Sequence, residues 1–238
     1  MKTSLNSFAA FVWVGIVGMG AANTALASGD STKEQVTSTV VNATTVTWRI
    51  FRPVITQAEK NYTKIKFEAG DAITLEAGGC DQTGGHGKTW KRYVDPQGDN
   101  ADRLYHGLIR IPGVTDKLKA SPTGPKGLVR LLDMGMKNLG PGLFRGQFVV
   151  GDLSKVVEKD RYLRLGFEDD NYGDNGYWGR DDGTGDQCQN LGTSYVVITI
   201  SHRAIHPLKS SRAEKGKGAG KAAGKNAGKA DVTPVPTK

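Results

Sequence analysis

The chain has little cysteine, almost no helical periodicity, no internal repeat and, across its middle, no net charge. Its formal charge is +8, but removing Lys2 and the nine basic and two acidic residues from Ser201 onward leaves 22 of each sign over positions 28–200. A neutral folded part lacks the electrostatic footprint that nucleic acid requires. No G-x-S-x-G elbow is present, which weakens a serine hydrolase. Gly84-Gly85-His86-Gly87-Lys88-Thr89 imitates the end of a phosphate loop, yet the first required glycine falls at Gln82, so a Gly-rich turn is the better reading. His202 and His206 lie four apart with no nearby cysteine partner, which argues against zinc.

What is present begins with an address. Lys2 precedes the uncharged apolar run Phe8–Ala22, and Ala25-Leu26-Ala27 supplies the small-x-small pattern that signal peptidase reads. Residues 1–27 are expected to be a signal peptide cleaved after Ala27, with the mature chain secreted or periplasmic. The alternative is a membrane anchor, for which the apolar run is short. No later segment is apolar enough to span a bilayer. In an exported chain the 2 cysteines read as one disulfide, Cys80 to Cys188, with two separate buried thiols as the alternative.

Short β-branched and aromatic segments follow, separated by Gly-, Pro- and Asp-rich turns. They are Val36–Phe51, Tyr62–Phe67, Ala72–Leu75, Thr89–Val94, Leu104–Ile111, Leu128–Leu132, Gln147–Val150, Tyr162–Phe167 and Tyr195–Ile200. About eight or nine strands at such spacing predict an all-β domain over 28–202, a sandwich or jelly roll. Leu153–Asp160 is the one helical pattern, good for a turn or two. Residues 203–238 contain no aromatic and space lysines among Gly and Ala, so a disordered tail is expected. It reads either as a tether to anionic polymers or as a solubilising extension.

The stretch Gly166–Cys188 is the most informative. It carries seven acids (Glu168, Asp169, Asp170, Asp174, Asp181, Asp182, Asp186) against the single Arg180. Clustered carboxylates repel one another unless they are solvated or neutralised by a cation. Calcium takes about six to eight oxygens in flexible geometry, and Asp169, Asp170, Asn171, Asp174 and Asn175 offer them. The spacing is not that of an EF-hand, and a solvated acidic turn is the competing reading. Tyr172, Tyr177 and Trp178 are interleaved, and rings beside polar groups suit sugar recognition. A core role for Trp178 is the alternative. Glu168 with Asp174 could serve a glycosidase, but no second carboxylate motif stands out.

The chain resembles the LecA-like family of calcium-dependent, galactose-binding bacterial lectins. The landmarks that carry the likeness run in order from Gly70-Asp71-Ala72-Ile73-Thr74 and Ala77-Gly78-Gly79 through Pro96-Gln97-Gly98-Asp99, Gly107-Leu108-Ile109 and Gly127-Leu128-Val129. They continue with Gly142-Leu143-Phe144-Arg145, Phe167-Glu168-Asp169, Tyr172-Gly173-Asp174-Asn175 and Val196–Ile200. The resemblance covers about Lys64–Ile200 and implies a jelly-roll sandwich with Ca2+ bridging protein and sugar. It puts the ligand aspartate on Asp169, the later ligand pair on Asp174 and Asn175, and a carbonyl ligand near Gln82–Thr83. The family's sugar-contacting His and Gln correspond here to Arg103 and His106, a departure that transfers calcium better than galactose specificity. Tyr177–Gln187 looks like an insertion, so a Cys80–Cys188 bond would pin both walls of the site.

The expectation is therefore a non-enzymatic, calcium-dependent carbohydrate-binding protein. Asp169, Asp170, Asp174 and Asn175 would hold the ion, and His106, Arg103, Tyr172 and Trp178 would meet sugar. A glycan-active hydrolase on the same sandwich, or an envelope protein attached through its basic tail, are the alternatives.

Overall fold

The computed structural model describes residues 33–84, 89–178, 187–188 and 190–203. The expected signal peptide, the tail beyond Arg203, His206, Gly85–Lys88 and the acids Asp181, Asp182 and Asp186 lie outside the described residues. Everything below belongs to the unit Met1–His202, which separates from Arg203–Lys238.

The described chain forms twelve strands: β1 (Gln35–Asn42), β2 (Thr45–Phe51), β3 (Glu59–Lys66), β4 (Ala72–Gly78), β5 (Cys80–Gln82), β6 (Trp90–Arg92), β7 (Gly107–Arg110), β8 (Val129–Arg130), β9 (Lys137–Gly140), β10 (Leu143–Val149), β11 (Tyr162–Phe167) and β12 (Tyr195–Ser201). One antiparallel sheet has the order β1-β2-β12-β4-β10-β9, a second β3-β11-β7-β8, and β5 pairs with β6 in a small third ribbon. The expected all-β sandwich is thus present. Strand number exceeds the expected eight or nine because Val36–Phe51 breaks into a hairpin, and because β5 and β9 carry no run of β-branched residues. Asn42 makes the hairpin turn, its Oδ1 accepting from the Thr44 amide at 2.9 Å. The helical pattern at Leu153–Asp160 survives as one 3-10 turn, Glu158–Asp160. Among the described residues no helix is long and apolar enough to cross a membrane.

Alternation with period two builds the core. Val196, Ile198 and Ile200 of β12 point inward, as do Ile73, Leu75 and Ala77 of β4, and they meet Leu163, Leu165 and Phe167 of β11 from the facing sheet. At the end of β11, Phe167 stacks on Tyr93 with ring centroids 6.1 Å apart. That aromatic pair forms the floor from which the acidic loop departs.

Beside this core the Cys80–Cys188 disulfide forms, as expected, with Cα atoms 6.0 Å apart, and it packs with Trp90 and Leu191 in a separate buried cluster. Gly79 makes the sharp step from β4 to β5. It adopts φ +78, and a Cβ there would stand 2.4 Å from the Thr193 carbonyl, so only glycine fits.

Candidate metal centre

Two backbone segments frame the site. The first is β5, which leaves Gly79 and carries Asp81 and Gln82. The second is the loop after β11, where Asp169 Oδ1 accepts from the Asn171 amide at 3.0 Å and Asn171 Oδ1 accepts from the Gly173 amide at 3.1 Å. These two turns, built from Asx side chains, lead into a 3-10 turn at Tyr172–Asp174. The segments are then sewn together: the Gln82 amide donates to Gly176 O at 3.1 Å and the Gly176 amide to Gln82 O at 3.0 Å. This pairing sets Asp81 beside Tyr177 and carries Asn175 to the same place.

The polar atoms here are incompletely satisfied. Both carboxylate oxygens of Asp81, Oδ2 of Asp169, Oδ1 of Asp174 and Oδ1 of Asn175 are buried without a hydrogen-bond partner. Asp81 and Asn175 are fully buried, at 0 % exposure each. A buried polar group without a partner costs about 1–3 kcal/mol, and a charged one more, so an unrelieved set of such atoms is not expected by chance. Burial raises the Asp81 carboxyl well above the ordinary carboxylate range, and the neighbouring Asp169 charge pushes it further. Burial likewise lifts Asp169 to about 6, against the opposing pull of the Asn171 amide and the Asn175 side chain. The Asn175 amide is held in place by donating Nδ2 to Ile55 O at 2.9 Å. A proton can relieve one carboxylate of such a group; a multivalent cation can relieve several at once.

Of the expected ion ligands, Asp169, Asp174 and Asn175 each keep a buried oxygen without a hydrogen-bond partner. Asp170, also expected as a ligand, is exposed and keeps no buried unpartnered oxygen. Asp81 was not legible as a ligand, because a lone aspartate between Cys80 and Gln82 carries no motif. Its only sequence clue is its place next to Gln82–Thr83, where the resemblance puts a carbonyl ligand. Three carboxylate or imidazole ligand atoms come within 4.8 Å of one another only at Glu68, Asp71 and His202 among the described residues, so Asp81, Asp169 and Asp174 stand more widely apart. The tighter trio is nevertheless the poorer ion site. Asp71 Oδ2 already accepts from the Glu68 amide at 2.8 Å, and Oδ1 bonds His202 Nδ1 at 3.0 Å.

The expected sugar contacts divide. His106 is only 3 % exposed and its Nε2 bonds Ala101 O at 2.6 Å, which removes it from any surface role. Its neighbour Tyr105 is only partly buried. Burial raises its hydroxyl pKa, and the Asp170, Asp169 and Asp174 charges add to the rise. Tyr105 holds φ 70, a strained value for an aromatic residue. Arg103 is exposed and its Nη2 donates to Asn100 Oδ1 at 3.2 Å. Tyr172 is half-buried, donating its hydroxyl to Phe167 O at 3.1 Å. Trp178 is partly exposed, its ring laid over Gly176, where a Cβ would approach ring carbons to 2.4 Å.

Glu168 does not face the ion group as a spare acid. Its Oε1 accepts from Ser121 and Thr123 and its Oε2 from Arg130, at 1 % exposure. A hydrolase built on Glu168 therefore loses its acid. No protein-family model matches this chain, and no curated protein or solved structure does.

Proposed function

We propose that this protein is a calcium-dependent carbohydrate-binding protein, with the ion held by Asp81, Asp169, Asp174 and Asn175. The observation that carries the reading is the set of buried oxygens without hydrogen-bond partners on these four residues, which lie on two segments joined by the Gln82–Gly176 pairing. Hard oxygen donors, three of them carboxylates and none of them sulfur or imidazole, suit calcium rather than a softer metal. The donor count falls short of a full calcium shell of about six to eight, which leaves positions for loop carbonyls, water or vicinal sugar hydroxyls. Tyr105 supplies apolar ring surface near Asp169 and Asp174, whose charges act on its hydroxyl. The likeness to LecA-like lectins supports the same assignment, with Asp169, Asp174 and Asn175 in the ligand positions.

Titration calorimetry of the full chain tests this. Calcium should bind with measurable heat, Asp174→Ala should abolish it, and a glycan array should show signals present in calcium and absent in chelator. Heat that is absent in the wild type, or unchanged in Asp174→Ala, rejects the proposal.

A further inference from the structure

A pocket of about 260 Å³ lies between the segment 52–56 and the segment 176–178, with Lys33 and Glu34 on its other side. None of the four ion-group residues lines it, though the same loop builds both. Asn175 donates to Ile55 O, and the Tyr177 hydroxyl donates to Pro53 O at 2.8 Å, so the two walls are fastened to each other.

Arg52 is the unusual residue in it. Its Nε is buried with no hydrogen-bond partner, and its backbone stands at φ 54, a region that long side chains rarely adopt. The backbone is nonetheless pinned there, its amide donating to Ser194 O at 2.9 Å. Two separate penalties meet at one residue, and among the described residues no side-chain partner of the guanidinium offsets them. The pocket's own acid, Glu34, is already bound by Lys60 and the Tyr62 hydroxyl, and no described carboxylate pairs with Arg52. The Nε atom is shut off from solvent, so a ligand in the pocket would meet the terminal Nη donors, which no described residue pairs, and these match a planar carboxylate in two parallel hydrogen bonds. An apolar surface is supplied by Trp178, whose ring lies over Gly176 at the pocket wall. Pockets for drug-sized molecules run roughly 300–1,000 Å³, so a smaller occupant, about one sugar ring, fits this one.

We propose that this pocket is a second binding site, for a carboxylate-bearing sugar such as a uronic acid unit, with Arg52 on the carboxylate and Trp178 against the ring. Because no oxygen of the ion group enters the pocket lining, the ligand should bind with or without calcium.

Ligand-observed NMR on the full chain, with methyl glucuronide and the neutral methyl glucoside as probes, separates the outcomes. The uronide should bind equally in calcium and in chelator, the glucoside should bind at least about tenfold more weakly, and Arg52→Gln should remove that preference. Thr56→Tyr, which narrows the pocket from its exposed rim without touching Arg52, should weaken the uronide similarly and serves where Arg52→Gln does not fold. Uronide binding that vanishes in chelator belongs to the ion group and overturns the assignment. So does absent uronide binding, or binding that both variants leave intact. Because the calcium heat of the wild type is measured separately, failure here leaves the ion reading standing.

Discussion

Arg130 Nε donates to Glu168 Oε2 at 2.6 Å, with the carboxylate at 0 % side-chain exposure and the guanidinium at 13 %. The same guanidinium reaches the carbonyls of Asp102 and Arg103 at 3.0 and 2.9 Å, so one cation fastens the exit of β11 to the loop that carries Tyr105. Removing one member of a buried pair leaves the other uncompensated, at about 3–5 kcal/mol. Glu168→Ala should therefore lower the free energy of unfolding in urea by about that amount while leaving any polysaccharide turnover at background. Loss of a hydrolytic activity in a variant of native stability would contradict this structural role.

Asp81 makes a sharper case, because its charge is unfavourable without an ion and necessary with one. Asp81→Asn keeps the shape and removes the charge. The variant should melt at or above the wild-type temperature in chelator, yet gain nothing when calcium is added. A thermal shift series in chelator and in calcium measures both halves. A variant that is still stabilised by calcium as strongly as the wild type would exclude Asp81 from the ligand set.

Part of this was visible in the chain itself. The sandwich was legible because Val196, Ile198 and Ile200, or Leu163, Leu165 and Phe167, alternate without interruption. The acidic loop was legible because seven carboxylates stand together. Strand β5 was not, since Cys80-Asp81-Gln82 has no strand preference and is held by Gly176, Gly192 and Ser194, all distant in sequence. The inward turn of His106 was also hidden. Arg103, Tyr105 and His106 share one short polar stretch, and only the pairing of the Tyr105 amide with Glu168 O decides which ring faces the acids. Arg52 was hidden for a similar reason, lying at the end of a regular strand pattern until its φ is known.

The pH dependence has a definite sign. Asp81 and Asp169 have folded pKa values raised above an unfolded value of about 4, to about 6 for Asp169. A carboxyl of that kind binds its proton more tightly when folded, so its contribution to the metal-free protein is fully present below about pH 4 and is lost as pH rises through about 6. Calcium competes with the same protons. The calcium-induced rise in melting temperature should accordingly be small near pH 4.5 and complete by about pH 7.5. A shift of constant size across that window would place the ion on residues other than these.

The disulfide separates stability from affinity. Cys80 and Cys188 lie 108 residues apart, and cross-linking a loop of that length contributes about 4–5 kcal/mol in the chain-entropy model. Yet the backbone at Cys80, next to Asp81, has its own anchors: its amide donates to Gly192 O at 2.9 Å and its carbonyl accepts from the Ser194 amide at 2.8 Å. Once the chain is folded, these bonds hold β5 without the sulfur link. The double variant Cys80→Ala, Cys188→Ala should therefore lose several kcal/mol in urea unfolding, while its calcium affinity falls by less than about tenfold, the equivalent of 1.4 kcal/mol. Folded variant protein whose calcium heat has disappeared would mean that the sulfur bridge, and not the backbone pairing, positions Asp81.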